Sequence, residues 1–255
     1  MHRSHLAGLP QDRFGKVIDM NRPETIAVIG EGELKQADLS ELLPFADLSE
    51  QQTRDILNLA TVHRVAPNRT YFDEGDSAEN FFVLLDGFTR VVRTTREGDQ
   101  VVVLHVAPGQ MFGIAKAFAS DKYTMTARAA SQGVALSWPS ALWDRFIQEY
   151  PGFQTATRQA VGSRVVEMQD KIVSMATKQV EQRIAEAILR LMDQAGKETD
   201  AGVEIDFPLT RQDISEMAGT TLHSVSRCMS KWQKSGILRT ERRRVVVCQP
   251  EALAV

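Results

Sequence analysis

An α+β chain is predicted: a compact β-sandwich or barrel, then one long helix, then a helix-turn-helix with a wing. Three changes of pattern predict it. From about Val62 to Trp138 the periodicity is strand-like, with turn residues every 8 to 12 positions. After Pro151 a helical period sets in and lasts, and near the end two short helical patterns flank Gly219.

Residues 1–38 have weak periodicity and mixed charge and are read as an N-terminal arm. Leu39 to Ala60 reads as helix, and residues 39–150 as one sensor-shaped domain. Within it, FFVLLDGFTRVVRT is a strand, an Asp86-Gly87 turn and a second strand. TREGDQVVVLHVAPGQMFG repeats the design with Gly98 and Pro108-Gly109, and Tyr123 to Ala129 and Val134 to Trp138 close the set.

Residues 151–178 form the long helix. Val161, Val165, Met168, Ile172 and Met175 recur at spacings of 4, 3, 4 and 3, a 3.5-residue average that makes a narrow seam. A seam calls for a partner helix, and the same helix of a second chain is the favoured partner over packing along the barrel alone.

Residues 179–255 form the last domain. A helix from Gln179 to Gln194 opens it with Val180, Ile184, Ala187, Ile188 and Leu191 on one face. Thr210 and Asp213 make a T-x-x-D capping box for the first short helix, with Arg211 and Gln212 facing outward and Gly219 stopping it. Thr220 or Thr221 caps the second helix, on which Leu222, Val225, Met229 and Trp232 are the predicted buried stripe. Its other face holds His223, Ser224, Ser226, Arg227, Ser230 and Lys231, with no carboxylate among them. Such groups suit phosphates and base edges, and a forked guanidinium is the commonest reader of guanine. Gly236 then precedes an extended hairpin whose tip carries Arg242, Arg243 and Arg244, a wing able to lie along a phosphate backbone.

Charge agrees with that reading. Between Phe207 and Gln249 stand eight basic and three acidic residues, a local +5 in a chain of net −3. The polyanion partner, double-stranded DNA, is expected at the C-terminal end only. Two recognition helices in a homodimer would read the two halves of a palindrome.

With 255 residues and 43% hydrophobic composition, two full cores can form. No apolar run approaches a membrane span and the N-terminus lacks a signal-peptide core, so a cytoplasmic protein without membrane contact is expected. Cys228 and Cys248 are the only cysteines, too few for a zinc ribbon or a four-cysteine cluster. No nucleophile–base pair, metal-ligand set or phosphate loop falls at useful spacing, so an enzyme is not expected.

The motifs EGDSAENFFVLLDGFTRV, the G-x-x-F-G turn at 109 to 113 and TRQDI resemble the Crp/Fnr bacterial transcription regulators over roughly residues 40 to 250. The resemblance implies a β-roll (cyclic-nucleotide-binding-like) sensor domain, a dimerisation helix, and a winged helix-turn-helix that binds an inverted repeat and acts on RNA polymerase. It carries base contacts onto His223, Ser226 and Arg227, and phosphate contacts onto Thr210, Arg211, Gln212, Thr221 and Ser224. Most members have Glu where His223 stands, so a TTG-like half-site core is expected through Ser226 and Arg227, with the base at His223 changed.

The effector is argued by exclusion. Ile114 stands where cyclic-nucleotide members have the ribose-gripping glutamate, and Tyr123-Thr124 where they have arginine-serine, so cAMP binding is not expected. The N-terminal cysteine cluster of the oxygen sensors is missing, which excludes an iron–sulfur cluster. TTLHSVSR and the substituted cassette look similar to the nitric-oxide-responsive branch that controls denitrification genes, for which haem is the expected cofactor. Phe112, Ile114, Phe118, Tyr123 and Met125 are the candidate effector pocket, and His2, His5, His63 and His105 the candidate axial ligands. The competing reading is a haem or small-ligand binding or redox protein whose helical C-terminal half serves only for dimerisation.

Overall fold

The computed structural model describes residues 11–19, 26–29, 39, 41–95, 98, 100–241 and 243–253. Two compact units emerge, one of Met1–Val91 with His105–Ser163, the other of Val92–Leu104 with Arg164–Val255. Among the described residues, no helix is long and apolar enough to cross a membrane.

The roll is built from β1 (Gln11–Asp19), β2 (Ile26–Ile29), β3 (Thr61–Val65), β4 (Thr70–Phe72), β5 (Asn80–Asp86), β6 (Thr89–Thr94), β7 (Gln100–Val106), β8 (Met111–Phe112), β9 (Thr126–Ala129) and β10 (Gly133–Pro139). One sheet runs β2-β1-β3-β10-β5-β8 and another β4-β9-β6-β7. The arm, whose periodicity is weak, contributes β1, which pairs parallel with β3 and antiparallel with β2.

Alternation along the strands separates two environments. Val62, Phe81, Val83, Leu136 and Trp138 face the helices, where they cluster with Phe45, Ile56, Phe146 and Phe153. Phe146 and Phe153 meet edge-to-face with centroids 5.0 Å apart, and Trp138 Nε1 donates to the Ile56 carbonyl at 2.9 Å. Their neighbours His63, Phe82 and Ser137 pack together on the other side, where His63 Nε2 lies 2.7 Å from Ser137 Oγ.

The predicted helix over Leu39–Ala60 is not continuous. Pro44 sits in a single 3-10 turn, Leu43–Phe45, and Asp47 adopts a left-handed φ of 62°. Ser49 then caps a fresh helix, α1 (Glu50–Asn58), through a capping box with Gln52. After α2 (Trp143–Glu149) comes α3 (Pro151–Thr177), a 27-residue helix that starts on proline, whose missing N–H costs nothing there.

On α3, Val161 is half-buried against the roll's helical core. The other four seam residues are open: Val165 is 50% exposed, Met168 58%, Ile172 67% and Met175 51%. Lys171, on another face, donates Nζ to the Val102 carbonyl at 3.3 Å. Ser174 Oγ donates to Glu186 Oε2 at 2.6 Å, and Lys178 pairs with the same carboxylate.

The second unit continues with α4 (Val180–Ala195), β11 (Gly196–Thr199), β12 (Gly202–Ile205), α5 (Arg211–Ala218), α6 (Leu222–Lys234), β13 (Leu238–Glu241), β14 (Arg244–Val247) and α7 (Pro250–Leu253). Its sheet runs β11-β12-β14-β13. The β11–β12 hairpin leaves no mark in the sequence pattern, because its outer strand is exposed throughout and carries no apolar alternation. Ile184, Ile188, Leu191, Ile214, Val225, Met229, Trp232 and Val247 are buried in this unit.

Candidate nucleic-acid interface

Local chemistry holds both short helices in place. Thr210 Oγ1 accepts from Asp213 N–H at 3.1 Å, while Asp213 Oδ2 accepts from the Thr210 N–H at 2.9 Å and hydroxyl at 2.6 Å. Gly219 ends α5 with φ 58°, a backbone state that costs a side-chain-bearing residue about 1 kcal/mol or more. A Cβ there would also stand 2.5 Å from Met175 Cε. Arg183 reaches the same turn, donating Nε to the Ala218 carbonyl at 3.0 Å and NH2 to that of Gly219 at 3.4 Å.

Thr221 is the N-cap of α6 and accepts from Ser224 N–H at 3.2 Å, with the two hydroxyls 3.1 Å apart. The first turn of α6 holds no acid, so the positive end of its dipole faces outward uncompensated. Val225, Cys228, Met229 and Trp232 are its buried face. Leu222 is not: it is 47% exposed, because at 3.6 residues per turn the stripe runs through Cys228 and leaves Leu222 beyond its edge. His223 and Arg227 are exposed, and Ser224, Ser226 and Ser230 half-exposed, so the predicted readers share one open face. Lys231 at the far end is tied to Glu181 at 2.8 Å. Cys228 is buried, and desolvation pushes its thiol up, which makes it an inert filler.

A Schellman closure stops α6: Ile237 N–H reaches the Trp232 carbonyl at 2.9 Å and Gly236 N–H that of Gln233 at 3.2 Å. The wing then turns between Glu241 and Arg244, which face each other in register. Arg243 sits at its tip with φ 74°, and its carbonyl accepts from Leu209 N–H at 2.8 Å, one residue before the Thr210 cap. Arg244 Nε pairs with Glu204 at 3.3 Å, so part of its charge is spent within the fold. Arg242 lies outside the described residues, while Arg211 and Gln212 are exposed at the start of α5.

Of the residues named for the effector pocket, Phe112 and Tyr123 both stack on Phe72, and the other three lie elsewhere. Phe112 is fully buried among Tyr71, Phe72 and Phe82, whereas Ile114 belongs to the cluster on the helical side of the sheet. Phe118 is 54% exposed, and Met125 half-buried. Tyr123 stacks on Phe72 at 3.7 Å, and its hydroxyl donates to the Asn80 carbonyl at 2.7 Å. Burial pushes the Tyr123 phenol up to about 12. His63 and His105 are both buried; His2 and His5 lie outside the described residues. No group of three or more His, Cys, Asp or Glu able to hold a metal occurs among the described residues.

A roll joined through one long helix to a basic-winged helix-turn-helix defines a class, the DNA-binding transcription regulators with a separate sensor fold. Two family models narrow it: a cyclic nucleotide-binding domain matches residues 62–150 and a Crp-like helix-turn-helix domain residues 182–255, and together they identify a Crp/Fnr-family regulator. The chain is 25% identical over 73% of its length to the global nitrogen regulator of a Synechocystis strain, spanning 84% of that protein. It is 24% identical to the fumarate and nitrate reduction regulatory protein of Salmonella typhimurium, over 86% of this chain and 88% of that one. Its fold is similar to FixK2 from Bradyrhizobium japonicum, with a TM-score of 0.66, 18% identity and coverage of 76% and 95%. The CooA mutant structure from Carboxydothermus hydrogenoformans has a TM-score of 0.63, 19% identity and coverage of 78% and 88%.

Proposed function

We propose that this regulator is a homodimer that reads an inverted-repeat operator through α6 under control of a signal other than a cyclic nucleotide. One observation carries the reading of DNA: an exposed, acid-free helix start bearing His223, Ser226 and Arg227. Arg227 is suited to guanine O6 and N7, and Ser226 to a neighbouring base, in a TTG-like half-site. His223 cannot accept from cytosine N4 as a carboxylate does, so the base it meets differs from that of glutamate-bearing members. Thr221, Ser224 and the start of α5 take the phosphates, with Arg243 and Arg244 on the wing. The four open seam residues on α3 support pairing with the same helix of a second chain.

The roll supports no cyclic nucleotide, since the position given to arginine-serine is held by Tyr123, stacked and bonded to backbone. Nitric oxide sensed through haem is the signal suggested by sequence resemblance, but the described residues do not fit the macrocycle. Phe72, Phe82, Phe112 and Tyr123 stack on one another, and His63 has its Nε2 engaged by Ser137 while its Nδ1 is buried without a partner.

Anisotropy titration of a palindromic duplex against a scrambled one, over rising salt, tests the proposal. Tight binding that falls steeply with salt, prefers the palindrome and ignores added cAMP is expected. Equal binding of both duplexes would overturn sequence-specific reading, and binding of neither at any salt would leave the competing reading, dimerisation without DNA.

A further inference from the structure

Helices α4 and α6 open with opposite chemistry. The first turn of α6 holds no acid, whereas that of α4 holds Glu181, whose carboxylate is favoured by the positive end of the helix dipole. Glu181 Oε1 accepts from Lys231 Nζ at 2.8 Å, although the two stand 50 residues apart. Lys231 follows Ser224 by seven residues and Arg227 by four, so the three lie along one stripe of α6. The Lys231 side chain is 68% exposed and that of Glu181 44%, which puts the pair in water beside the open face and not in the core. A pair so exposed is worth little to folding, about 0–1 kcal/mol.

What the contact does is occupy a cation. An ammonium on this stripe suits a phosphate oxygen, and a carboxylate is an acceptor of the same kind, an anion that presents oxygen to the N–H groups. We propose, on the footing that α6 reads DNA, that Glu181 is a built-in stand-in for a DNA phosphate, an autoinhibitory contact that keeps Lys231 off the backbone of every duplex and so weakens sequence-independent binding. The weakening is equal for operator and scrambled DNA, because no base is read. Released from Glu181, Lys231 neutralises one further phosphate, and log affinity then falls with log salt more steeply by about 0.9.

The full chain and its Glu181→Gln, Lys231→Ala and doubly substituted variants are titrated by anisotropy against a palindromic and a scrambled duplex over rising salt. Glutamine keeps the size of the side chain and removes only its charge. Glu181→Gln is expected to bind both duplexes about five-fold more tightly at low salt, with a slope steeper by about 0.9. Lys231→Ala is expected to leave the wild-type slope unchanged, yet to remove the added 0.9 or so when Glu181→Gln is present. The inference is overturned if Glu181→Gln keeps the wild-type slope, or if Lys231→Ala alone lowers that slope by about 0.9, since Lys231 would then already sit on a phosphate. A gain confined to the palindrome overturns it as well, because a phosphate stand-in acts on all sequences alike. Failure of every variant and the wild type to bind either duplex would instead bring down the DNA-reading proposal beneath it, a separate and visible outcome.

Discussion

The roll interior and the face of α6 solve opposite problems with polar groups. In the roll, His63, Ser137 and Tyr123 are buried and turned toward one another or toward backbone, enclosed by aromatic rings. On α6, hydroxyls, imidazole and guanidinium are open, and the Thr221–Ser224 cap ties two of the hydroxyls together. Sealed polar groups make stability depend on pH, and open ones make affinity depend on salt and sequence. The two units therefore answer to different measurements.

The largest effect expected is in the roll. Burial lowers the His63 pKa from 6.5 to about 4. The unfolded chain then takes up a proton that the folded roll refuses, so stability is complete above pH 6.5 and drains as pH falls toward 4. The loss is on the order of 3 kcal/mol, visible as a falling urea midpoint, and His63→Gln removes that slope. An interior open to water would show no such window, and the contrast would break.

On the other side, Arg227→Ala is expected to cost about 1–3 kcal/mol of operator affinity and to relax preference at one base, with folding unchanged. Equal weakening on all sequences would demote Arg227 to a phosphate contact. A smaller loss, about 1 kcal/mol of unfolding free energy, is expected from Thr210→Ala, which removes half of the α5 capping box. Urea denaturation followed by circular dichroism reads it. The smallest effect separates two wing arginines: Arg243→Ala reduces the salt slope of binding by about 1, and Arg244→Ala by less, since Glu204 already holds that side chain.

Sequence made the local devices legible and the long-range ones less so. The Thr210–Asp213 box, the Gly219 stop and the α6 face depend on residues within one or two turns, and each is found as spacing indicates. Leu222 failed because a stripe of spacings 3, 4 and 3 can be drawn through it, while the true stripe includes Cys228, a residue whose polarity hid its place in the core. The strands of the roll were visible through their alternation, yet which of its interior residues meet was not. Ile114 and Phe112 stand two apart in sequence but end on opposite sides of a sheet, and the His63–Ser137 pair joins strands 74 residues apart.

Arg243 carries a consequence for how folding and binding oppose each other at the wing tip. A left-handed backbone at φ 74° suits glycine, and an arginine there gives up on the order of 1 kcal/mol of folding free energy. A glycine accepts the turn and still offers its carbonyl to Leu209. Arg243→Gly is therefore expected to raise the unfolding free energy by on the order of 1 kcal/mol, read as a higher urea midpoint, and, on the proposal that the wing lies along DNA, to weaken duplex binding.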